Sequence, residues 1–154
     1  FDFVDDYAPA AGIDRWLCGT PPILSLTALN TALDAFDGVD MAAARAKAGA
    51  LGDLFIERVE ARCAGKGLAL ASPRDAAARG GQVSFTHPHG WAVMQNLIAR
   101  GVIGDFRAPD VIRFGFAPLY VRHKDVWDAV EVLGEILDSE SWREARFQTV
   151  AAVT

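Results

Sequence analysis

The spacing of apolar positions changes twice along the chain. Ile23, Leu26, Leu29, Leu33 and Phe36 recur at helical intervals and predict a helix over about 22–36. Pro21 and Pro22 suit its first turn, where a missing N–H costs little. Gly38 closes that helix, and Asp40 is a fair N-cap for a second over 40–63, with Met41, Ala44, Ala48, Leu51, Phe55 and Val59 as its apolar positions. Gly65 and Gly67 end it. The period then falls to two. "LALAS" (68–72) and "QVSFTH" (82–87) predict strands on either side of a loop from Pro73 to Gly81. Residues 90–100 carry Trp91, Met94, Leu97 and Ile98 and predict a short amphipathic helix stopped by Gly101. Residues 102–106 and 111–116 predict two further strands, joined by the turn "RAPD" with Pro109. Asp125 is expected to cap a last helix over 125–138, built on Val126, Val130, Leu133 and Leu137. Residues 1–20 read as irregular, punctuated by Pro9, Gly12 and Gly19.

Two helices followed by β-β-α-β-β-α imply an α+β fold. Strands joined by a turn pair antiparallel. The expectation is therefore a two-layer sandwich: a mainly antiparallel sheet of three or four strands with helices on one face.

Composition narrows the function. The 154 residues are 51% hydrophobic and 23% charged, which suits a folded domain with a real core. The formal charge of −5 shows no basic excess, so a nucleic-acid partner is not expected. No window approaches the ~18 apolar residues of a membrane-spanning helix. Cys18 and Cys63, far apart, fit packed thiols in a reducing cytosol and argue against a disulfide scaffold or a zinc site. The chain opens "FDFVDDYAPAAGIDRW", without an initiator methionine, which predicts a piece of something longer; a terminus made by cleavage is the alternative. Asp2, Asp5 and Asp6 stand where an export signal would carry bases, so no such signal is expected.

Few residues invite chemistry. Arg113 alternates with Ile112, Phe114 and Phe116, so it leaves the strand on the face opposite the apolar one. Gly115 leaves room beside it. A guanidinium there suits a carboxylate held by two bonds. It equally suits a plain salt bridge to Asp105 or Asp110. His87 and His89 in "THPHG" could share a face, but Pro88 and Gly90 make this a turn and no third metal ligand is near. A hydrogen-bonded turn leading into a helix is the simpler reading. His123 reads as solvated. "CGTPP" (18–22) puts Thr20 at a helix start, a setting that favours a phosphate and is also an ordinary helix beginning. Lys47, Lys66 and Lys124 lie in surface contexts, and none has the apolar strand-end setting of a Schiff-base amine.

Taken together, "LCGTPPILSLTALNTALDAFDGVDM", "QVSFTHPHG" and "GVIGDFRAPDVIRFGFAPLYVRHKDVWDAVEVL" resemble the C-terminal part of kynureninase, especially of the bacterial type. The likeness covers about residues 10–147, and the run from Gly101 to Tyr120 is its most specific part. The resemblance implies a pyridoxal 5'-phosphate enzyme of the aspartate-aminotransferase fold type. Such enzymes are cytoplasmic homodimers that hydrolyse L-kynurenine to anthranilate and L-alanine in tryptophan degradation, a supply line for NAD biosynthesis. It divides the chain into a leading segment and connecting helix (1–36) and a small C-terminal domain (37–154). It matches Arg113 to the arginine that holds the substrate carboxylate, and Thr20 to a residue that reaches the cofactor phosphate, from the neighbouring subunit. The cofactor lysine and most cofactor ligands would belong to a large upstream domain outside this sequence, so no catalytic residue is expected here and no turnover by this piece alone. Two rivals stay open. One is the small domain of another enzyme of this fold type, such as a cysteine desulfurase or an aminotransferase. The other is a non-catalytic binding or oligomerisation module.

Overall fold

The computed structural model describes residues 5–17 and 19–149, which divide into two compact units between Val39 and Asp40. The first unit holds a 3-10 turn (Gly12–Trp16), helix α1 (Ile23–Leu33) and a further 3-10 turn (Asp34–Phe36). The helix begins after both prolines rather than through them. Pro22 is extended and serves as the N-cap, its carbonyl accepting the Leu26 N–H at 3.0 Å. No residue of α1 is buried.

The second unit is the expected α+β sandwich. Helix α2 (Met41–Arg62) starts at Asp40, whose carboxylate accepts the N–H groups of Ala42 and Ala43 at 2.8 and 3.2 Å. Four strands follow: β1 (Ala69–Leu70), β2 (Gln82–Thr86), β3 (Asp105–Arg107) and β4 (Val111–Gly115). They lie in the order β1-β2-β4-β3, every pair antiparallel. Helix α3 (Gly90–Ala99) joins β2 to the far edge, so β4 returns between them. Helix α4 (His123–Ser139) and the short α5 (Ala145–Gln148) complete the unit.

Alternation decides the two faces of the sheet. Val83 and Phe85 on β2, and Ile112 and Phe114 on β4, are buried against the helices. Phe55 of α2 meets Phe114 and Phe116 at ring-centre distances of 4.7 and 5.3 Å. Leu51 and Val59 of α2, Met94 and Leu97 of α3, and Val130 and Leu133 of α4 close the core. Burying each such side chain contributes about 1.5–3 kcal/mol, so a period of two on the strands and 3.6 on the helices is enough to select this layering.

Several boundaries differ from the sequence reading, β1 and the end of α1 among them, and two bear on the site. The strand expected over 102–106 starts only at Asp105. The Val102 N–H still closes α3 by bonding the Leu97 carbonyl at 2.9 Å. Gly104 crosses so near β4 that a Cβ there would stand 2.7 Å from the Arg113 carbonyl oxygen and 2.6 Å from Met94 Cε. Asp125 is not the cap of α4 but its third residue. Its carboxylate reaches back to accept the Arg122 N–H at 2.8 Å, so the helix begins two residues earlier, at His123. That N–H and the Arg122 guanidinium, the latter the larger influence, pull the Asp125 carboxyl down to about 2.

Candidate functional site

The outer face of the sheet is polar, and Arg113 stands on it. The register sets Arg113 of β4 directly opposite Ser84 of β2 on one side and Asp105 of β3 on the other. Asp105 and Arg107 are two apart on β3, so both share that face. The Arg113 guanidinium donates from Nη2 to the Asp105 carboxylate. The same oxygen, Oδ2, lies 3.3 Å from Arg107 Nη2. Exposure rises outward: 26% of the Arg113 side chain is accessible, 47% of Asp105 and 65% of Arg107. The Arg113 hydrogen bond is the main influence holding the Asp105 carboxyl below its usual range, against a push upward from burial, with the arginine charges assisting.

Of the two acids the sequence offered as partners, Asp105 takes the role. Asp110 instead uses its carbonyl to accept the His87 N–H at 2.9 Å. The pair does not use up Arg113: its Nε is buried and has no acceptor among the described residues. A Cβ at Gly115 would meet nothing within 4 Å, so the face beside the guanidinium is open. A guanidinium paired through one nitrogen, with part of its side chain accessible and open space beside it, can receive an external anion.

Arg107 was not singled out from the sequence. The signal was there: Asp-x-Arg on a short strand puts an acid and a base on one face, and a tight turn brings that face to Arg113.

Thr20 lies in the first unit, exposed, three residues before Ile23. Its hydroxyl has no hydrogen-bond partner among the described residues. It stands exposed near the positive end of an 11-residue helix.

The two turn histidines are tied into the fold. His87 is buried, and its Nδ1 accepts the His89 N–H at 3.1 Å while its carbonyl accepts the Gly90 N–H at 2.8 Å. His89 stacks on Trp142 at 4.2 Å. Burial lowers the His87 pKa, opposed by a backbone hydrogen bond at Lys66 and aided by His89. No cluster of three or more His, Cys, Asp or Glu suited to a metal occurs among the described residues. Cys63 is a buried free thiol pushed up to about 11 by desolvation, while Cys18 lies outside the described residues. A second cation escaped the sequence reading. Arg79 is buried, bonded to the carbonyls of Pro73 and Arg74 at 3.0 and 2.8 Å and paired with Asp53, in space that Gly52 leaves. All its partners are internal, so it fastens the loop before β2.

Residues 44–133, which include Asp105, Arg107 and Arg113, match the family described as Kynureninase C-terminal domain. The chain belongs to that family. Proteins named kynureninase from Burkholderia mallei (strain ATCC 23344) and Burkholderia pseudomallei (strain K96243) are each 57% identical to it over 148 residues, 96% of this chain and 36% of the relative. A kynureninase of Pseudomonas fluorescens is 56% identical over the same length and the same shares. The chain thus spans about a third of the length of the kynureninases it matches. Among the described residues no helix is long and apolar enough to cross a membrane.

Proposed function

We propose that this chain forms the substrate-carboxylate wall of a kynureninase, an enzyme that hydrolyses L-kynurenine to anthranilate and L-alanine. The observation that carries the reading is Arg113: a partly covered guanidinium on the open sheet face of a kynureninase C-terminal domain, paired through Nη2 alone and with part of its side chain still accessible. An amino-acid carboxylate supplies what that fork lacks.

The reaction class calls for pyridoxal 5'-phosphate, and the residues present fit their share of it. Thr20 offers an exposed hydroxyl at the start of α1, a donor set suited to a phosphate, while the rest of the cofactor's holding falls to residues outside this chain. When bound, the cofactor supplies an electron sink for the substrate's α-carbon. Arg113 binds the substrate carboxylate through paired coplanar donors and so fixes how the α-carbon bonds are turned. Thr20 would donate its hydroxyl hydrogen to the cofactor phosphate. The homodimer and the cytoplasmic location belong to the same proposal, with Thr20 serving the neighbouring subunit's cofactor.

The test is direct. The full-length polypeptide carrying this chain, supplied with pyridoxal phosphate and L-kynurenine, is expected to release anthranilate, followed by its fluorescence. Turnover of cysteine or of an amino-group acceptor in its place would assign the chain to another enzyme of the same fold type.

A further inference from the structure

We propose that Asp105, anchored in turn by Arg107, is the positioning residue for Arg113, and that the three side chains together form a site balanced for one negative charge. The inference rests on the carboxylate role of Arg113 and adds the residues that make that role selective.

The sheet register carries it. Asp105 is the direct cross-strand partner of Arg113, so its carboxylate meets the guanidinium without either chain having to bend. Only one of its oxygens and only Nη2 of the arginine are engaged there, and about a quarter of the Arg113 side chain stays accessible. Asp105 therefore steers the guanidinium and still leaves donors for a second carboxylate. Two carboxylates on one arginine would repel one another. Arg107, 3.3 Å from the shared oxygen, offsets that repulsion. The face carries two cations and one anion, so a monocarboxylate brings it to neutrality. Gly104 belongs to the same device: the close crossing that only a glycine permits is what sets Asp105 level with Arg113.

A residue that acts through Arg113 must matter to the carboxylate and not to the rest of the substrate. In the full-length enzyme, Asp105→Ala is expected to raise KM for L-kynurenine about tenfold, the size of one charged hydrogen bond, with kcat within about twofold. The inhibition constant of kynuramine, the same molecule without its carboxylate, should stay within about twofold of the parent value. Asp105→Asn keeps the volume and one acceptor oxygen, so it should fall between parent and alanine variant and serves where alanine does not fold. Arg107→Ala should weaken L-kynurenine alone, by about threefold, as expected for an exposed charge. Equal weakening of both ligands in Asp105→Ala and Asp105→Asn would make Asp105 a structural residue and overturn the proposal. Unchanged or tighter L-kynurenine binding would also overturn it, by making Asp105 a bystander or a competitor. Arg113→Ala separates the layers. If it fails to distinguish L-kynurenine from kynuramine, the carboxylate reading itself falls; if it does distinguish them and the Asp105 variants do not, only the positioning role falls.

Discussion

The geometry of a guanidinium cannot be copied by an ammonium. Lys at position 113 keeps the charge but offers no paired, coplanar donors. Arg113→Lys in the full-length enzyme is therefore expected to raise KM for L-kynurenine by about tenfold, in line with the loss of one charged hydrogen bond. On the proposed function Thr20 serves the other ligand: Thr20→Ala should weaken retention of pyridoxal phosphate, measured by dialysis against cofactor-free buffer, and leave KM nearly as it was. Unchanged retention would remove Thr20 from the site. His87 makes a stability statement. Its pKa is lowered in the fold, so it binds protons less readily folded than unfolded. The stability it contributes is present above its ordinary value of 6.5 and is lost as the pH falls through the lowered one. The thermal midpoint of the parent should accordingly drop more steeply below pH 6.5 than that of His87→Asn, whose amide oxygen accepts the His89 N–H without titrating. Arg113 was legible because strand alternation alone sends it away from three apolar neighbours. Arg79 was not, because what defines it is a pocket behind a glycine, which is not local in sequence; Arg107 carried a local sign in the Asp-x-Arg spacing, but only the cross-strand register brings it to Arg113.

Elements follow the apolar period where the core enforces it. The bodies of β4 and α4, though not the start of α4, read cleanly because Ile112, Phe114, Val126, Val130, Leu133 and Leu137 are all buried. Edges read less well. β1 shrinks to two residues because Ser72 turns its hydroxyl onto the Ser84 N–H at 2.8 Å and takes over the ladder there. β3 starts late because Val102 still serves α3. Both changes arise from hydrogen bonds that compete with strand pairing, and apolar spacing carries no trace of them. The Gly104 crossing gives a sharp test of this packing. A methyl there would meet the backbone oxygen of Arg113, which has little freedom to yield. Gly104→Ala should cost about 1–3 kcal/mol by overpacking, read as a lower thermal midpoint, and it should raise KM for L-kynurenine as Asp105 shifts. A variant as stable as the parent would mean that the crossing relaxes freely.

The two units make different demands on their surroundings. The α+β unit closes its own core, with helices on one face of the sheet and the Asp105–Arg113–Arg107 row on the other. Helix α1 buries nothing by itself: Ile23, Leu24, Leu29 and Leu33 are all more than half exposed. On the proposed function, the rest of the site comes from outside the third of the kynureninase length that this chain spans. The decisive measurement accordingly belongs to the full-length enzyme: kcat/KM for L-kynurenine with Arg113→Ala, beside its affinity for pyridoxal phosphate. A fall of about 10²-fold or more with cofactor affinity unchanged is expected, from the energy of truncating one partner of a buried charge pair. A near-normal kcat/KM would contradict the carboxylate role and leave Arg113 as no more than the salt-bridge partner of Asp105.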